Sequence, residues 1–349
     1  MGWIVSADEH IVEPPEFWSD WLPAHLPEAD RANAPSLDGA SLVVNGEVMR
    51  TFQLFPELVA RSDAAPGASD LAGRLAVMDR EGIDAALLFP QRAMGMFALN
   101  DRELMVRCFT AYNTWLADFC AGSNGRLKGV AVLPTVYAPE TTAAYLEMLK
   151  GLGFSVVMIP GGLRGRTYAD PEMEPLWAAL EASGLVLAFH TSETPEDNGP
   201  GGLGAYLTVQ FQPFRKLFGY LVFTGLLERH PGLKVLFAEG GISWIPSCLA
   251  HADQIHRDFA GDLTPKLKRP PSAYWRRQCY ATFMDDALGL DQLEHIGADR
   301  VLWSSDYPHP EGTGRRTRAV LDDLTRRVGP EQAGVISGGL ACQLFGFAA

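Results

Sequence analysis

The 349-residue chain is expected to be an α/β protein, a (β/α)8 TIM barrel with an insertion after its first strand. Three observations carry that expectation. Eight short apolar runs recur along the whole chain, each followed by helix-compatible sequence, as parallel strands covered on both faces require. No Gly-rich dinucleotide or phosphate-binding fingerprint follows the first run, which disfavours the competing open, doubly wound sheet. Titratable residues stand where several of the runs stop, the position at which barrel strands converge on one mouth.

The strands are expected at WIVSA (3–7), IDAALLF (83–89), LKGVAVL (127–133), FSVVMI (154–159), LVLAF (185–189), LKVLFA (233–238), QCYATF (278–283) and RVLWSS (300–305). Amphipathic stretches between them predict helices at 71–81, 101–121, 139–151, 172–183, 214–229, 244–259, 286–296 and 315–327, with a closing helix over 330–348. Pro171 and Pro246 sit near helix starts, and Gly153 and Gly184 fall just past helix ends. Residues 11–69, rich in Pro, Gly, Asp and Ala, are expected to form an insertion or lid over the mouth. A second irregular stretch, 192–213, follows strand five, where barrel loops shape substrate pockets. No convincing boundary divides the chain, so one domain spanning 1–349 is expected.

Composition narrows the function classes. With 47% hydrophobic residues the chain can bury a large core. A net charge of -13 disfavours nucleic acid and anionic membranes as partners, since both call for a basic face. No charge-free apolar run is long enough to span a bilayer, and the start lacks the pattern of a secretory leader. The five cysteines form no CxxC pair, which favours free thiols and a cytoplasmic setting over a disulfide scaffold or structural zinc.

Strand one ends in Asp8-Glu9-His10, strand five at His190, strand six at Glu239, and strand eight at Asp306, followed by His309. Alternation puts Asp8 and His10 on one face and turns Glu9 away. Taken singly, each residue has an ordinary reading: a cap, a core histidine, a helix-start charge. Their clustering at strand ends favours a divalent ion such as Zn²⁺, with Mn²⁺ as the alternative. Arg61, Arg164, Arg166 and Lys216 are candidates to meet a substrate carboxylate, with plain solvent exposure as the competing reading.

The segments SADEHIVEPPEFW (6–18), MDREGIDAALLFP (78–90), HPGLKVLFAEGGISWIP (230–246) and IGADRVLWSSDYPHPEG (296–312) resemble the amidohydrolase superfamily. The likeness is to the branch containing the aminocarboxymuconate-semialdehyde, γ-resorcylate and 5-carboxyvanillate decarboxylases. It implies a barrel of the metal-dependent hydrolase type, with Asp8, His10, His190 and Asp306 as metal ligands. Strand four carries no lysine, so the resemblance implies one ion rather than a lysine-bridged pair. Two departures stand out: Glu239 where the decarboxylases have His, and Leu340 where many relatives have Asn.

Two reactions follow from the resemblance. The first is decarboxylation of a small aromatic or enol-type acid, with Asp306 or Glu239 protonating carbon and His309 beside them. The second is hydrolysis of a lactone, amide or C–C bond, with Asp306 as base. A metal-binding protein without turnover is the remaining reading. The expected partners are a small carboxylate substrate and a second copy of the chain, as a homodimer.

Overall fold

The apolar runs are buried on both faces because each becomes a barrel stave. The computed structural model describes residues 2–51, 56–163, 165–190, 204–205, 208 and 212–348. Its barrel strands are β1 (Val5–Ile11), β2 (Ala85–Pro90), β3 (Leu127–Val132), β4 (Val156–Met158), β5 (Val186–His190), β6 (Lys234–Ala238), β7 (Cys279–Phe283) and β8 (Val301–Trp303). Each pairs in parallel with its neighbour in sequence. The ends of the sheet then meet. The His10 N–H donates to the Tyr307 carbonyl at 2.7 Å and the Asp306 N–H to the Asp8 carbonyl at 3.0 Å. An open sheet would leave those groups on two edges; closure satisfies them and excludes the doubly wound alternative.

All eight expected strands are present, but β1 is displaced. It continues through Asp8-Glu9-His10 because these polar residues keep pairing, Glu9 with Leu88 and His10 with Phe89. Between Ser6 and Glu9 the register slips by one residue, a β-bulge on β1.

The helix Leu71–Glu81 begins on an Asp70 cap and ends on left-handed Gly82, as capping preferences dictate. The stretch expected as one helix over 214–229 divides into Gln212–Phe223 and Leu226–Arg229, because Gly225 adopts φ 73° between them. Similarly, 286–296 forms two short helices, Ala287–Leu290 and Leu293–Ile296. The helices expected at 315–327 and 330–348 separate as foreseen: within Thr317–Gly334 the backbone breaks at Gly329, at φ 79°, and Pro330 opens the closing helical segment that continues to Phe345. A helix not foreseen, Pro271–Gln278, precedes β7.

The insertion after β1 has its own secondary structure. An antiparallel meander, Ser36–Asp38, Ser41–Val44 and Glu47–Thr51, is followed by the helix Pro56–Asp63. Its second hairpin turns on Asn45-Gly46, both at positive φ, the signature of a tight hairpin turn. Among the described residues no helix is long and apolar enough to cross a membrane.

Candidate metal centre

Four strands deliver the expected residues to one point. Asp8 and His10 lie on β1, His190 ends β5, Glu239 follows β6, and Asp306 and His309 follow β8. Two of them sit on backbone that side chains rarely adopt, Glu239 at φ 60° and Asp306 at φ 55°. Such strain persists where the surroundings over-determine it. The Glu239 N–H donates to Thr282 Oγ1 at 2.7 Å, and the Asp306 N–H is held by Asp8 as above. Gly240, next in the chain, has no room for a side chain: a Cβ there would lie 2.5 Å from the Phe214 ring.

The donor atoms converge. His10 Nε2 lies 3.8 Å from Asp8 Oδ1, 3.6 Å from Asp306 Oδ1 and 3.8 Å from Glu239 Oε2. His190 Nε2 lies 2.9 Å from Glu239 Oε2 and 3.7 Å from Asp8 Oδ1. His309 Nδ1 stands 3.0 Å from Asp306 Oδ1 and 4.0 Å from Glu239 Oε1. Asp8 Oδ1, His10 Nε2 and Asp306 Oδ2 are buried without hydrogen-bond partners. Buried polar atoms ordinarily find partners, so orphaned atoms on three residues of this cluster fit a shared cation. His10 belongs to both potential ligand clusters, one with Glu239, Asp306 and His309, the other with Asp8 and His190. Imidazole nitrogens and carboxylate oxygens in this number suit a borderline divalent ion.

The electrostatics follow from burying so many titratable groups together. Burial pushes Asp8 upward, opposed by the neighbouring His190, and pushes Asp306 well up, opposed by His309. Burial holds His10 well below the usual imidazole value, with His309 and His190 adding repulsion. Burial also works against the charged form of His190, but Glu239 and Asp8 outweigh it and raise that imidazole well above its usual value. His309 likewise overcomes burial through Asp306 and Glu239, reaching about 10.

An outer layer orients these groups. His10 Nδ1 is 3.2 Å from the Pro90 carbonyl, which leaves Nε2 facing the cluster. His309 Nε2 is 3.0 Å from Gln91 Oε1. Buried Glu13 gathers the backbone N–H groups of Gln91, Arg92 and Ala93 and so fixes the loop bearing Gln91. Thr282 Oγ1 donates to Asp8 Oδ2 at 3.3 Å while accepting the Glu239 N–H. Glu9, turned away as expected, meets Arg74 Nη1 at 2.8 Å. Sequence reasoning missed Gln91, Thr282, Glu13 and Arg74. Gln91 alone carried a usable signal, as a polar residue directly after a barrel strand.

Beside His190 opens a cavity of about 720 Å³. Met49 and Arg50 of the meander line it, together with Arg166 and Lys216. Of the other expected cations, Arg61 is exposed on the helix Pro56–Asp63 and does not line this cavity, and Arg164 lies outside the described residues. So does most of the 192–213 stretch.

Residues 12–335 match the amidohydrolase family model, a span that begins just after Asp8 and His10. The chain is 27% identical over 258 residues to a γ-resorcylate decarboxylase of Rhodococcus jostii (strain RHA1), covering 67% of this chain and 76% of the relative. A 5-carboxyvanillate decarboxylase structure from Sphingomonas paucimobilis superposes with a TM-score of 0.72 at 25% identity, covering 99% of each chain. A dihydroxybenzoic acid decarboxylase from Polaromonas sp. JS666, with bound manganese and the inhibitor 2-nitroresorcinol, superposes at 0.71 with 21% identity. It covers 99% of this chain and 97% of that one.

Proposed function

This chain belongs to the amidohydrolase family, and from that premise we propose that it is a metal-dependent carboxy-lyase acting on an aromatic or enol-type carboxylic acid. One observation carries the reading: buried imidazole and carboxylate donors gather around His10 Nε2, which with Asp8 Oδ1, 3.8 Å away, is buried without a hydrogen-bond partner. Asp8, His10, His190 and Asp306 would hold one divalent ion, zinc or manganese, since such N/O donor sets accept both. The relative with bound manganese supports the second choice. When bound, the ion supplies Lewis-acid polarisation of the substrate carboxylate and an adjacent oxygen.

The protein's own groups manage the proton. Asp306 or Glu239 delivers it to the ring carbon that bears the carboxylate. Departure of CO₂ then returns the C–C bonding pair to the ring. His309, 3.0 Å from Asp306, holds that carboxyl in place and is itself steadied by Gln91. The chain acts as a single domain, with 11–69 as a lid whose Met49 and Arg50 border the cavity. A homodimer completes the reading, to be checked by mass in solution. The five free cysteines support a cytoplasmic setting.

The test is CO₂ release from a panel of hydroxybenzoates by Mn²⁺- or Zn²⁺-loaded protein. Metal-dependent CO₂ evolution with a matching phenol is expected. Turnover of lactones or amides without CO₂ would overturn the reading in favour of hydrolysis.

A further inference from the structure

The cavity beside His190 is large and its charge is one-sided. At about 720 Å³ it is roughly five times the ~150 Å³ that accommodates a benzene molecule in a protein interior. A single-ring acid seated at the metal centre would leave most of it empty. Its walls carry flat apolar surface from Phe97 and Phe214. Among the described lining residues there are three cations, Arg50, Arg166 and Lys216, and no carboxylate.

Two of those cations have capacity to spare. Arg166 uses Nη2 on Glu172, while its Nη1 is buried without a hydrogen-bond partner. Guanidinium N–H groups are costly to bury unused. Lys216 is exposed at the cavity's edge, with its ammonium over the Tyr220 ring at 5.9 Å. In a chain with net charge -13, a recess whose described lining gathers cations and no carboxylate is a selective feature for an anion.

We propose that the substrate extends beyond one ring and carries a second acidic group, bound by Lys216 and Arg166 away from the metal-facing carboxylate. This rests on the carboxylate-at-metal reading above and deepens it to a substrate class: an extended aryl dicarboxylate. The apolar walls hold the ring system, and the distal pair of cations sets its orientation, with charge-assisted hydrogen bonds as the source of discrimination.

The experiment compares 5-phenylsalicylate with 5-(4-carboxyphenyl)salicylate, which differ only by the distal carboxylate. Binding to the metal-loaded protein is measured by calorimetry, separately from CO₂ release. The diacid is expected to bind about tenfold tighter or more. Lys216→Met should remove that advantage by lowering the diacid's affinity far more than the monoacid's, Arg166→Gln should reduce it, and Lys216→Arg should keep it. Equal binding of the two acids, no binding of either, or an advantage that survives both Lys216→Met and Arg166→Gln would overturn the proposal. Loss of the advantage alongside continued CO₂ release from hydroxybenzoates would leave the decarboxylase reading standing. A charge-dependent advantage without CO₂ from any acid would do the reverse.

Discussion

His190 and Glu239 stand 2.9 Å apart yet were read from the sequence in different roles, one as a ligand and one as a proton carrier. Their variants separate those roles. His190→Ala removes a buried imidazole nitrogen from the cluster, so it should lose most of the bound metal while retaining the fold, as elemental analysis and circular dichroism would record. Full metal occupancy in that variant would remove His190 from the ligand set. Glu239→Gln keeps the shape but cannot shuttle a proton, so metal content should hold while kcat falls by about 10²–10⁴. Near-normal turnover would leave Glu239 only the task of pairing with His190. At this scale the sequence was legible where polarity interrupts an apolar run: Asp8, His190 and Asp306 each break one. Thr282 was not, because a lone hydroxyl near a strand end looks the same whether it orients a catalytic group or merely ends a strand.

At the scale of elements, the register of β1 decides the site. Eight apolar runs sufficed to place eight strands, since parallel strands buried on both faces leave that signature. The extension of β1 to Ile11 was hidden, because three of its added residues, Asp8, Glu9 and His10, are titratable and are tolerated inside only through long-range partners. Arg74 is the main one. Wholly buried, it reaches Glu9 by Nη1 and the Gly67 carbonyl by Nε, tying β1 to the end of the insertion. The meander escaped notice for a different reason. Its strands have only 3 to 5 residues each, too short for a period-two pattern, although Asn45-Gly46 marked the turn. Removing Arg74 should therefore be costly. Arg74→Met leaves Glu9 buried and unpaired, with an expected loss of ~3–5 kcal/mol in chemical denaturation. Adding Glu9→Gln should recover part of it. A loss below ~1 kcal/mol for the single variant would show that β1 does not depend on this pair.

Over the whole molecule, barrel closure and metal binding are one construction. The hydrogen bonds that join β1 to the segment after β8 involve Asp8, His10 and Asp306 themselves, so the residues that close the barrel also face the cluster. Without a cation, the carboxylates of Asp8, Glu239 and Asp306 crowd a buried space. Burial already drives Asp8 and Asp306 toward their neutral forms, a sign of how poorly the site tolerates bare negative charge. An ion that binds this arrangement and not the unfolded chain must stabilise the fold by mass action. At a hundredfold excess over Kd the gain is about 2.7 kcal/mol. For a chain of 349 residues, an unfolding entropy of ~2.1 cal/mol/K per residue converts this to a rise in Tm of about 4 °C. Chelator-treated protein should thus melt lower than protein titrated with Mn²⁺ or Zn²⁺, and His190→Ala should show little of the rise. A Tm indifferent to both ions in the unmutated protein would mean that the donors, however they converge, do not hold a metal strongly enough to matter to the fold.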